Sequence, residues 1–170
     1  MHKSVRNTEP HRADPPHASR LTPHGESATV LAFDFGEKRI GVAVGDTAVG
    51  IAHPLTRIDA ADKQRRFAAI AALLEEWRPS RLVVGLPAHL DGTEHELSRL
   101  ARKFARELST RFGLPVAFVD ERLTSVAAEA SLAAAGVAPR KRKARVDQVA
   151  AQEILQDYFD AALRAARDRD

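Results

Sequence analysis

The chain has 170 residues, enough for one domain with a proper core. It contains no cysteine, which excludes disulfides, thiolate metal sites and a cysteine nucleophile, and it offers no run of about 18 apolar residues to cross a membrane. A formal charge of only +3 permits a nucleic-acid partner without demanding one.

Residues 1–27 read as a disordered tail, with Pro10, Pro15, Pro16 and Pro23 and little that can pack. Its histidines, His2, His11, His17 and His24, match no zinc spacing and read as solvated, and it has no signal-peptide core. From Ala28 to residue 170 the pattern is that of a single ordered domain. Strands are expected at about Thr29–Phe35 and Arg39–Val44, joined as a hairpin through Gly36, and at about Ala52–Arg57. A helix from about Ala60 to Trp77 buries Phe67, Ile70, Leu74 and Trp77. RLVVGL, Arg81–Leu86, is a continuous apolar strand of the doubly buried kind, ended by Pro87. Thr93 and Glu96 form a capping box for a helix with Leu97, Leu100, Phe104 and Leu108 on one face. A short strand at Val116–Val119 follows. Another helix, capped by Thr124 or Ser125, stops at Gly136, and a last one runs from about Arg145 to Arg164. The order β-β-β-α-β-α-β-α-α predicts an α/β fold: a mixed sheet of about five strands flanked by helices, in the order of a ribonuclease-H-like domain.

The chemistry concentrates in three acidic residues. Asp34 interrupts the first, otherwise apolar strand, and burying a carboxylate is costly unless something pairs with it. The plainer reading is a cap for the Gly36 turn. Glu121 follows the Val116–Val119 strand in DERLTS. Asp147 opens the last helix, and the positions that share its face, Ala150, Ala151, Ile154, Leu155 and Tyr158, put it on the packed stripe. Complementing the helix dipole is the plainer reading of Asp147, but it does not explain the placement on that stripe. A hard divalent cation, Mg²⁺ or Mn²⁺, would answer the cost of all three carboxylates and suits phosphodiester hydrolysis. Asp120 competes with Glu121 but falls on the opposite strand face, Asp46 ends the second strand as a spare carboxylate, and Asp91-Gly92 reads as turn chemistry.

Just before Asp147 stands RKRKAR: Arg140, Lys141, Arg142, Lys143 and Arg145 give five positive charges in six residues. Such a run is often just a solvated face. Next to the acidic residues it would meet incoming phosphates, giving affinity without sequence specificity. Lys38, Arg39 and Arg122 would extend the same surface. Aromatics are few, so base stacking is not expected to dominate.

Four blocks together resemble the YqgF (RuvX-like) nuclease family, described both as pre-16S rRNA nucleases and as Holliday-junction-resolvase-like: DFGEKRIGVAVGD from Asp34, VVGLPAHLDGT from Val83, DERLTS from Asp120 and RKRKARVDQVAAQEIL from Arg140. The likeness spans about Val30 to Tyr158. It implies a ribonuclease-H-like fold, a carboxylate metal site on Asp34, Glu121 and Asp147, and a cytoplasmic bacterial nuclease. Its partners would be pre-16S rRNA, ribosomal particles or branched DNA. The chain departs from the family pattern at Gly45, where Ser is common, and at Leu86-Pro87, where related resolvases carry an acid.

Two other readings compete. A non-catalytic RNA-binding assembly factor would use the basic run and not the carboxylates. A nucleotide-binding module of the actin or sugar-kinase type would use DFGxxxxG as a phosphate loop, but needs two domains, for which about 140 ordered residues are too few.

Overall fold

The computed structural model describes residues 27–59, 61–87, 96–121, 136 and 139–169, with the backbone alone over 139–146. Five strands alternate with helices: β1 (Thr29–Phe35), β2 (Ile40–Asp46), β3 (Ala52–Ile58), α1 (Lys63–Trp77), β4 (Arg81–Pro87), α2 (Glu96–Phe112), β5 (Val116–Glu121) and α3 (Pro139–Arg167). They form one sheet in the order β3-β2-β1-β4-β5. The β1–β2 and β2–β3 pairs are antiparallel; β1–β4 and β4–β5 are parallel. Tight turns suffice for the antiparallel pairs, whereas each parallel pair needs a crossover, which α1 and α2 provide. This is the ribonuclease-H-like arrangement expected from the order of elements.

Alternation along β1 sends its residues to two different cores. Leu31, Phe33 and Phe35 face α1 and α2, where Phe104 meets Phe33, Phe35 and Phe67 at centroid distances of 5.9, 4.9 and 6.0 Å. Val30 and Ala32 face α3, against Ala151, Ile154, Leu155 and Phe159. Asp34 continues this second set, so its carboxyl is directed to the α3 side at the carboxyl end of the strand.

Several boundaries differ from the sequence reading. Helix α1 starts at Lys63, because Asp62 caps it by accepting from the amides of Gln64 (2.7 Å) and Arg65 (3.2 Å). The face of α2 is rotated: Ser98, Ala101, Phe104, Ala105 and Leu108 are buried, while Leu97 is 39% exposed. Small residues at 98, 101 and 105 let the helix lie close on β4, and Ser98 Oγ donates to the Pro87 carbonyl at 3.0 Å. Glu121 is the last residue of β5, opposite Pro87, rather than just beyond it. Helix α3 begins at Pro139, not Arg145, so the basic run forms its first turns; a proline there has no amide to lose. The helix expected between 124 and 136, the capping-box Thr93 and the Asp91-Gly92 turn lie outside the described residues, as do Arg122 and the tail ahead of Ser27.

Candidate active site

The three acidic residues come from β1, β5 and α3, and two glycines govern how near to one another they lie. Asp34 pairs with Gly41 across the hairpin. A Cβ on Gly41 would stand 1.8 Å from the Asp147 carbonyl oxygen and 3.1 Å from its Cα. Only glycine lets α3 cross β2 at this point, so Gly41 seats Asp147 beside Asp34.

Glu121 is two strands from Asp34, a backbone gap of about 10 Å. It bridges that gap over Gly85 in the intervening strand, where a Cβ would lie 3.3 Å from Glu121 Oε2 and 2.4 Å from Ile154 Cδ1. With no side chain on Gly85 in the way, Glu121 reaches Asp34 and the two carboxyls hydrogen bond. The β4 strand supplies, at Gly85, the space through which Glu121 reaches in.

Burial first, then the charge of Glu121, the hydrogen bond to it and the charge of Asp147 push the Asp34 carboxyl from 3.8 up to about 9. Asp34 therefore keeps its proton and donates it to the Glu121 carboxylate. Burial also raises Glu121; the bond from Asp34 opposes this and Glu153 adds to it. Glu153, on α3, is raised by its own burial and by Asp157. Sequence reasoning missed Glu153, because it sits six positions past Asp147 and off the apolar stripe. Asp147 has the Arg39 guanidinium 4.0 Å away, with both side chains partly exposed. Among the described residues no three acidic or histidine side chains already converge on a single metal-sized point.

The first hairpin is held from behind. Arg66 of α1 donates to the Glu37 carbonyl at 2.6 Å, and its guanidinium lies 5.3 Å from the centroid of the Phe35 ring. This fixes the turn that carries exposed Lys38 and leads into Arg39. Asp120 points outward, as strand alternation requires.

Asp46 is not a spare ligand. It pairs with Thr29, five residues from Asp34 along β1 and so about 17 Å away. There it accepts from Ser27 and from the Ala48 amide, and the Ser27 bond above all holds its carboxyl below the usual range. The neighbouring Gly45 is required by packing, since a Cβ would meet the Phe159 ring at 2.6 Å.

A family described as "RuvX: Holliday junction resolvase" matches residues 28–161. The chain belongs to the RuvX family. On this membership it is a nuclease, an enzyme that hydrolyses phosphodiester bonds. A relative from Methylobacillus flagellatus is 62% identical over 131 residues, 77% of this chain and 90% of the relative. One from Chromobacterium violaceum is 64% identical over 131 residues, 76% and 96%. Both carry the name "Putative pre-16S rRNA nuclease". Among solved structures, Thermus thermophilus RuvC in complex with a Holliday junction substrate matches at a TM-score of 0.49 and 20% identity, over 79% of this chain and 96% of that one.

Proposed function

We propose that this RuvX-family chain is a metal-dependent nuclease acting in the cytoplasm on structured RNA, at the 5′ end of pre-16S rRNA, with Asp34, Glu121 and Asp147 as its metal ligands. The observation that carries this reading is the Asp34 carboxyl, forced to keep its proton by burial and by two neighbouring carboxylates. A site that crowds hard oxygen donors and holds them together with one proton is suited to a cation in that proton's place. Mg²⁺ or Mn²⁺ fits such donors. Asp147, whose charge Asp34 already feels, would be the third ligand. When bound, such an ion supplies Lewis-acid chemistry, activating water toward phosphorus and neutralising charge on the departing oxygen.

The remaining residues serve the substrate. Lys38 and Arg39 stand where a scissile phosphate enters. The Arg39 guanidinium, 4.0 Å from Asp147 and partly exposed, would be at hand for a phosphate oxygen. The basic run Arg140–Arg145 occupies the first turns of α3, two residues ahead of Asp147, and supports affinity for the nucleic-acid backbone together with Arg122. Among the described residues no helix is long and apolar enough to cross a membrane. The names of the relatives support rRNA, and through it ribosomal particles, as the target; the family description makes branched DNA the alternative.

The test is cleavage of a labelled pre-16S 5′-leader RNA and a four-way DNA junction, with Mg²⁺, Mn²⁺ or EDTA. Cutting of the RNA that needs metal and disappears in Asp34→Asn is expected. Preference for the junction would move the role to recombination. RNA binding without cutting in any metal would favour the assembly-factor reading.

A further inference from the structure

The face of α2 opposite the core has no role in the site described above. Arg99, Arg102, Lys103 and Arg106 are exposed along it, back to back with buried Ser98, Ala101, Ala105 and Leu108. The helix has five basic residues against two acidic ones, a surplus as large as that of the whole chain. Of its two acids, Glu96 pairs with Arg99 and offsets one of the four charges, while Glu107 is engaged by Lys63 of α1 at 2.9 Å. Lys103 and Arg106 form no ion pair among the described residues.

An aromatic ring lies beside this stripe. Phe118 of the edge strand β5 is 43% exposed, with the Arg102 guanidinium 5.7 Å from its centroid. An exposed phenyl ring costs free energy in water, whereas a ring with an arginine beside it is an arrangement on which nucleobases stack. The position is also informative. Ser98 ties the first turn of α2 to Pro87, and Pro87 is opposite Glu121. The stripe therefore starts at the acidic end of the sheet and runs about 10 Å away from it. Phe118 is three residues, about 10 Å, from Glu121 along β5.

We propose that the exposed face of α2, with Phe118, is a track for a single-stranded RNA flank of the substrate, leading over the β5 edge to the acidic site. The proposal rests on the nuclease reading of that site and adds a substrate feature to it: unpaired nucleotides beside the cleaved bond.

The experiment is a salt titration of binding between the full chain and a labelled single-stranded RNA, in EDTA so that nothing is cut. In Lys103→Ala/Arg106→Ala the slope of log affinity against log salt is expected to fall by about 1.4, two contacts at about 0.7 each. Phe118→Ala is expected to weaken binding about tenfold with little change in slope. The control removes two exposed charges elsewhere, Arg164→Ala/Arg167→Ala in the last turn of α3, and is expected to keep the wild-type slope. Equal loss of slope in both double variants would mean that net charge alone is at work and would overturn the track, as would an unchanged slope in the α2 variant or a wild type that binds no RNA. A reduced slope in a protein that cuts no RNA under any metal would keep the track and discard the nuclease reading. Thermal melts of each variant confirm that the fold is retained.

Discussion

At the scale of the residue, Asp34 sets function against stability. Without metal, its folded-state carboxyl titrates at about 9 and its unfolded one near 3.8. The folded state then holds the extra proton across that window. The stability this provides is complete below about 4 and is lost as pH rises through about 9. Glu121 and Glu153, both raised by burial, act in the same direction. Asp46 acts oppositely but is lowered, so its effect is confined to acid below its ordinary value. Asp34→Asn makes the position permanently neutral and should remove most of the trend. In EDTA the variant is expected to melt above the wild type at pH 8 and close to it near pH 4. A variant that melts lower at pH 8 would show that Asp34 is not under electrostatic strain.

At the scale of the element, the site depends on how closely α3 can approach the sheet. In Gly41→Ala the new Cβ meets backbone, 1.8 Å from the Asp147 carbonyl, so the helix itself must move. Overpacking of this kind costs about 1–3 kcal/mol or more. In Gly85→Ala the nearest atom is Ile154 Cδ1, the tip of a side chain that can swing aside. Gly41→Ala should therefore lower the melting temperature more than Gly85→Ala, and the reverse order would refute this account of α3 seating. The same contrast separates what could be read from sequence. The β1 strand and the Asp147 stripe were legible because period-2 and 3.6-residue patterns are local. The start of α3 was not, because a basic run carries no apolar period. Nor was the face of α2 read correctly: leucines at 97 and 100 outweighed Ser98 and Ala101, whose small size is what brings that helix onto β4. The reach of Glu121 over Gly85 depends on the β4–β5 register, which one sequence does not specify.

At the scale of the whole molecule, the carboxylates occupy one end of the sheet and α3 acts as a clamp across it. Gln156 accepts from the Ala52 amide at 3.0 Å and donates to the Gly50 carbonyl at 2.9 Å, while Gln152 donates to the Ala52 carbonyl at 3.0 Å, so the far half of the helix is tied to the β2–β3 connection. Its near half carries Asp147. Each of the three acids is anomalous for its own surroundings in the sequence; that Asp34 feels the charges of Glu121 and Asp147 follows from the strand order and from where α3 crosses the sheet. A cation bridging β1, β5 and α3 would join elements otherwise held by packing, and should stabilise the molecule as a unit. For a ligand that binds only the folded state, a concentration 100 times Kd contributes about 2.7 kcal/mol, or roughly 8 °C in a domain of this size. Because the ion competes with the Asp34 proton, the gain should be largest above neutral pH and shrink toward pH 5. Thermal melts with Mn²⁺ or EDTA at the two pH values test this directly. Asp147→Asn should lose most of the Mn²⁺ shift while keeping its melting temperature in EDTA close to that of the wild type. An equal shift in both proteins would remove Asp147 from the metal site and leave Asp34 and Glu121 to hold it with some other group.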